Sequence, residues 1–319
     1  MSKLNVLQNS SLPLWLEESL AKHFNVHSLW SETHPEQFLA AHGVEYQAVV
    51  SRAAVGVSEE LIKQLPNLKV ISSFGVGYEK VGISAAKARG IQVGYTPEVL
   101  NDCVADTAFG LLIDVARQMS ASDRFLRAGQ WLKAPYPTTT RVSGKKLGIL
   151  GLGRIGQVIA KRASGFDMEI RYHNRKPNPD LQYSFEESLI NLAKWCDFLV
   201  VASAGGPETS NLVSSDVLES LGPKGYLINI ARGTVVDEAA LIEALQNKKI
   251  AGAGLDVYKD EPNVPSALMD LDNVVLLPHV ASATNETRQA MAELVLENLV
   301  SYCEVGKVKV GVPGTVGTE

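Results

Sequence analysis

The chain has 319 residues, 45% of them apolar and 20% charged, with 26 glycines, 14 prolines and a net charge of −5. A length near 300 residues exceeds one ordinary core and favours two domains, while this composition excludes a disordered, collagenous or low-complexity chain. The small negative charge, with no long basic run, excludes nucleic acid and anionic membrane surfaces as expected partners. No apolar stretch reaches the length of about 18 residues that a spanning helix needs, and MSKLNVLQNS lacks a signal-peptide core. A cytoplasmic location is therefore expected. Cys103, Cys196 and Cys303 are too widely spaced for a disulfide framework or a metal cluster, and no metal is expected.

Over about the first hundred residues, short β-branched runs alternate with helical patterns. KLNVLQ, NVHSLW, QAVVSR, KVISSFG and IQVGYT read as strands, separated by WLEESLAKHF, PEQFLAAHG, SEELIKQL and SAAKARG as helices. Residues 102–119 read as one long helix with Val104, Ala105, Ala108, Leu111, Leu112, Val115 and Met119 on its buried face. Residues 120–145, with Trp131, Pro135, Tyr136 and Pro137, have no clear period and read as an irregular arm. A second alternation runs from KKLGILGLGRIG through MEIRYHN, DFLVVAS, GYLINIA, GAGLDVY and NVVLLPHV. An amphipathic helix, NETRQAMAELVLENLVSYCE, and a Gly/Pro-rich tail follow. The pattern predicts an α/β protein with two doubly wound, Rossmann-like parallel sheets.

Gly151, Gly153 and Gly156 spell G-x-G-x-x-G between a strand and a helix. The first glycine permits the tight turn, the second admits a pyrophosphate, and the third lets helix and strand approach closely. A plain glycine turn is the other reading, but the strand–turn–helix context favours dinucleotide binding. An NAD-preferring site places Asp or Glu about 20 residues further on, against the ribose 2′-hydroxyl. Here the strand ends in Asn174, Arg175 and Lys176. The acid is missing, and two cations suited to a 2′-phosphate stand in its place. NADPH is the expected cofactor, with NADH as a possible second; a solvated basic turn is the bland alternative.

Arg232, Glu261 and His279, spaced 29 and 18 residues apart, each follow a predicted parallel strand. Ligands of open α/β sheets bind at those carboxyl ends. An imidazolium can protonate a carbonyl oxygen that receives a hydride, and a nearby carboxylate orients and charges the ring. A guanidinium can grip a substrate carboxylate. Singly, each residue also reads as an ordinary surface or core group; the combination points to reduction of a 2-oxo acid.

FGVGYEKV, VADTAFGLL, GKKLGILGLGRIG, NIARGTVVDEAALIEAL, GAGLDVYKDEP and NVVLLPHVASAT together resemble the D-isomer-specific 2-hydroxyacid dehydrogenases, nearest their glyoxylate/hydroxypyruvate reductase branch. The similarity spans essentially the whole chain. It implies that Arg232 binds substrate, Glu261 assists the histidine and His279 is the acid/base. It implies that the backbone N–H groups of Val76 and Gly77 hold the substrate carboxylate. Leu152, Gly153, Arg154, Ile155, Asn174, Arg175, Lys176, Ile230 and Asp256 would contact the cofactor. The implied plan is a dinucleotide-binding Rossmann domain, 101–286, inserted into a flavodoxin-like substrate domain formed by 1–100 plus 287–319, with the active cleft between them. A homodimer is also implied, with the arm at 120–145 as its dimer-forming loop and Tyr136 as a candidate to reach the partner's cleft. Arg52, ending the strand QAVVSR, is a candidate to line the substrate pocket with Phe74, or equally a surface charge.

The chain departs from the family pattern at Glu79, Gly82 and Ser203-Ala204. The expected activity is NADPH-dependent reduction of glyoxylate and hydroxypyruvate. The alternatives are a relative acting on aromatic or larger 2-oxo acids and, from another class, a cofactor-sensing corepressor-like protein.

Overall fold

The computed structural model describes residues 3–316, and the chain divides into two units, Met1–Leu100 with Thr284–Glu319, and Asn101–Ala283. The first unit runs β1 (Asn5–Gln8), α1 (Leu14–His23), β2 (Asn25–Ser28), α2 (Pro35–His42), β3 (Ala48–Arg52), α3 (Glu59–Gln64), β4 (Val70–Phe74), α4 (Ile83–Ala88) and β5 (Gln92–Gly94). Its five strands are all parallel, in the order β2-β1-β3-β4-β5, which is the flavodoxin-like arrangement. Consecutive strand residues such as Val49 and Val50 are wholly buried, as a parallel sheet covered on both faces requires. Gly82 caps α4 without a side-chain bond. A β-carbon there would press on Glu59, so the space suits glycine.

The second unit begins with α5 (Asn101–Arg117) and α6 (Met119–Arg127), and continues β6 (Lys146–Leu150), α7 (Arg154–Ser164), β7 (Glu169–His173), β8 (Ser184–Phe185) and α8 (Leu189–Trp195). It then runs β9 (Phe198–Val201), α9 (Ser215–Leu221), β10 (Tyr226–Asn229), α10 (Glu238–Gln246), β11 (Gly252–Leu255), α11 (Ser266–Met269) and β12 (Val274–Leu276). Seven parallel strands lie in the order β12-β11-β10-β9-β6-β7-β8. From β6 the chain first builds outward through β7 and β8, then returns to β9 on the other side. That reversal puts a topological switch point between β6 and β9, where such sheets bind ligands.

The long helix and the irregular arm need correction. The helix breaks at Gln118, which is left-handed with φ 51°, and the Asp114 carboxylate accepts the Ser120 N–H at 2.8 Å beyond the break. Met119 is 55% exposed and opens α6 instead of closing α5. The arm therefore starts as a helix. No residue of α6 is fully buried, so no run of core positions marks it.

The chain returns to the first unit as α12 (Asn285–Val305). Thr284 caps it by accepting the Thr287 N–H, and its Val295 carbonyl accepts a bond from the Ser72 hydroxyl of β4. The fully buried Asn298 accepts the Val310 N–H at 2.8 Å and donates to the Tyr95 carbonyl at 3.3 Å, tying helix, β5 and tail together. Among the described residues, no helix is long and apolar enough to cross a membrane. Asn298→Ala strips the partner from a buried N–H and a carbonyl, so it should cost roughly 1–3 kcal/mol. Urea unfolding should give a lower midpoint; an unchanged one would show that the tail does not depend on this side chain.

Candidate active site

At the switch point, Gly151 follows β6 with φ 98°, and a β-carbon there would collide with the backbone of Ser203, just past β9. Only glycine permits that turn and that approach. Gly153 precedes α7 and, as a glycine, brings no side-chain cap to a helix N-terminus whose dipole favours an anion. Leu152 donates its N–H to Asn174 Oδ1 at 2.8 Å, fastening the glycine turn to the end of β7. Arg175 Nη1 donates to Glu208 Oε2 at 2.7 Å, and Lys176 beside it is exposed. Arg154 and Ile155 open α7; Ile230 is buried and donates its N–H to the Val201 carbonyl at 3.3 Å. The Ser203 hydroxyl is buried and, among the described residues, has no hydrogen-bond partner.

The three residues expected to do chemistry all lie past the carboxyl ends of neighbouring strands β10, β11 and β12. His279 Nδ1 and Glu261 Oε2 are 2.6 Å apart, with the side chains 44% and 33% exposed. The Glu261 carboxylate also accepts the Tyr258 N–H at 3.1 Å. Burial pushes the Glu261 carboxyl up, but the His279 bond, the Tyr258 N–H and the charges of His279 and Arg232 outweigh it. The group sits below its ordinary value and is anionic at neutral pH. Arg232 Nη1 donates to the Ala231 carbonyl at 2.7 Å, and Asn229 Nδ2 donates to the Arg232 carbonyl at 3.0 Å. A β-carbon at Gly233 would run into the Tyr258 backbone, so the Arg232 turn lies flat against the loop that carries Glu261.

His279 itself has φ 53°, a left-handed conformation that histidine enters more readily than most residues but that still needs support. Asp256 supplies it. Only 1% exposed, it accepts the N–H groups of Val280 at 2.7 Å and Ala281 at 2.9 Å. Burial, the leading cause, raises its carboxyl above the ordinary value, while those two N–H groups and the His279 charge pull it back. Expected to touch the cofactor, Asp256 thus holds the histidine loop with both oxygens. Tyr258 is pushed up to about 12 by burial and by the Asp256 and Glu261 charges; its hydroxyl donates to the Leu277 carbonyl at 2.9 Å. Neither support was visible in the spacing of charged residues, since both act on backbone.

Val76, Gly77 and Arg52 belong to the five-stranded unit; Val76 and Gly77 follow β4, and Arg52 is the last residue of β3. Among the described residues, the N–H groups of Val76 and Gly77 have no acceptor. Arg52 is exposed. Phe74, expected beside it at the pocket, is instead a core residue only 4% exposed, with the Arg288 guanidinium 5.6 Å from its ring. Tyr136 donates to Gln118 Oε1 at 3.0 Å and meets Phe125 edge-on.

A family profile described as D-isomer specific 2-hydroxyacid dehydrogenase, NAD binding domain, matches residues 109–281. The chain belongs to this family. It is 44% identical to glyoxylate/hydroxypyruvate reductase A of Arabidopsis thaliana over 302 residues, covering 95% of this chain and 96% of that one. It is 43% identical to the hydroxyphenylpyruvate reductase of Plectranthus scutellarioides, with the same coverage. Its fold matches, with a TM-score of 0.92, an NADPH-dependent glyoxylate/hydroxypyruvate reductase of Sinorhizobium meliloti solved with NADP and malonate, at 38% identity and with 100% and 99% of the two chains covered. As a 2-hydroxyacid dehydrogenase, the protein uses a nicotinamide dinucleotide, and the switch point fits one. No atom stands within 4 Å of a β-carbon built on Gly153, the start of α7 is uncapped, and the buried Ser203 hydroxyl awaits an acceptor.

The lowered Glu261 carboxyl makes a pH-dependent contribution to stability. It is present above the unfolded glutamate value, about 4.3, and is lost as pH falls through the lower folded value. Glu261→Gln removes it. The stability gap between the unsubstituted protein and this variant should be widest near neutral pH and close below about pH 4 in urea melts. A gap independent of pH would contradict the assigned pairing.

Proposed function

We propose that the protein reduces glyoxylate and hydroxypyruvate to the corresponding 2-hydroxy acids, with NADPH as the preferred reductant and NADH accepted less well. The observation that carries this reading is the 2.6 Å bond between His279 Nδ1 and Glu261, at the strand ends beside Arg232. Bound NADPH supplies a hydride to the carbonyl carbon of the substrate. His279 Nε2, the ring nitrogen not committed to Glu261, gives the proton that the carbonyl oxygen then requires. Glu261 holds the ring in orientation and favours its protonated form. Arg232 binds the substrate carboxylate and polarises the carbonyl through a planar guanidinium. The N–H groups of Val76 and Gly77, in the five-stranded unit, suit a carboxylate, and Arg52 is the candidate for choosing what the substrate carries beyond it.

For the cofactor, Gly151, Leu152, Gly153, Arg154 and Ile155 are assigned to the pyrophosphate, with Ile230 and Asp256 as further contacts. The preference for NADPH rests on the end of β7. Asn174 brings no carboxylate for a 2′-hydroxyl and spends its Oδ1 on Leu152, while Arg175 and Lys176 bring positive charge. A charge-assisted bond to phosphate is worth roughly 1.5–3 kcal/mol. The S. meliloti reductase, solved with NADP, supports the same choice. A homodimer in the cytoplasm completes the reading: Trp131 is 67% and Leu132 95% exposed on the 120–145 segment, a surface suited to a second copy.

The test is NADPH and NADH oxidation with glyoxylate, hydroxypyruvate, hydroxyphenylpyruvate and 2-ketogluconate at low and high salt. Glyoxylate and hydroxypyruvate should lead, with kcat/KM for NADPH about tenfold or more above NADH at low salt and the margin shrinking as salt rises. Equal cofactors, or no reduction of any 2-oxo acid, would overturn the proposal.

A further inference from the structure

The end of β7 holds more than two cations. Glu208 lies in the loop after β9, in the short turn Pro207–Thr209, and its carboxylate takes Arg175 Nη1 at 2.7 Å. The turn holds it there: Thr209 donates its N–H to the Gly206 carbonyl at 3.1 Å and its hydroxyl to the Ala204 carbonyl at 2.9 Å. Arg175 and Glu208 are 85% and 75% exposed, so the pair adds little to folding. Its position gives it a different consequence. Arg175 adjoins Asn174, which is bonded to the glycine turn, so its guanidinium is carried by the strand end where a ribose 2′-substituent is expected.

We propose that Glu208 competes with the cofactor's 2′-phosphate for Arg175 and sets how strongly the protein favours NADPH over NADH. This rests on the NADPH reading above. A 2′-phosphate carries close to two negative charges at neutral pH, and it must share Arg175 with a carboxylate or displace it. Like charges brought together on one guanidinium repel, and the bond from Nη1 to Glu208 is given up or split. A 2′-hydroxyl meets no such opposition. Glu208 therefore weakens the phosphorylated cofactor selectively and keeps NADH within reach, and Lys176 sets the remaining attraction.

The experiment measures dissociation constants of 2′,5′-ADP and 5′-AMP for the unsubstituted protein, Glu208→Gln, Arg175→Ala and the double variant, with melting temperatures as a check on folding. Releasing an exposed ion pair should tighten 2′,5′-ADP about two- to fivefold in Glu208→Gln, leave 5′-AMP unchanged, and fade with added salt. In the Arg175→Ala background the gain should vanish. Unchanged or weaker 2′,5′-ADP binding in Glu208→Gln, or a gain that survives without Arg175, would overturn the competitor role while leaving the NADPH reading intact. If the unsubstituted protein binds 2′,5′-ADP no better than 5′-AMP, the NADPH reading fails and this inference fails with it.

Discussion

A bond of 2.6 Å between an imidazole and a carboxylate forms only if the backbones carrying them are held within side-chain reach of each other. Here those backbones are two loops, and loops are the mobile parts of most folds. The parallel register of β10, β11 and β12 delivers all three loops to one edge of the sheet. A parallel strand can do no other, since every carboxyl end faces the same way. The remaining freedom is removed by buried groups. Asp256 grips the backbone after His279, Tyr258 bonds both Glu261 and the end of β12, and Gly233 lets the Arg232 turn settle against Tyr258.

This arrangement explains why a carboxylate as buried as Asp256 is tolerated. Desolvation raises its carboxyl, which is a cost to the folded protein near neutral pH, yet both oxygens are satisfied by N–H groups of the loop they hold. The cost falls where precision is needed. A histidine at positive φ, a buried acid and a tight carboxylate contact lie within one short stretch of chain ends, as expected where structure serves chemistry and not stability alone.

Much of this was legible from the sequence, for identifiable reasons. Parallel strands buried on both faces leave continuous apolar runs, so DFLVVAS and GYLINIA stand out, and the residues just past them are marked by position alone. The same logic located Gly151, Arg232, Glu261 and His279. What stayed hidden leaves no periodic trace. β8 has two residues and α6 buries none of its residues fully, so neither leaves a run of core positions to find. Phe74 shares a strand-end position with Arg52, and only side-chain packing separates the core ring from the exposed cation. Asp256 acts on backbone and Glu208 pairs with Arg175 across 33 residues of chain, and pairing at that distance is a property of the fold.

Proton donation by His279 is the central step of the proposed reaction, and one substitution isolates it. His279→Ala should bind NADPH, followed by its fluorescence, with an affinity close to that of the unsubstituted protein, because the glycine turn and the end of β7 are untouched. Single-turnover reduction of hydroxypyruvate should fall by roughly 10²–10⁴-fold. Reduction at an undiminished rate with NADPH still bound would contradict the assignment and move the proton donor to another group.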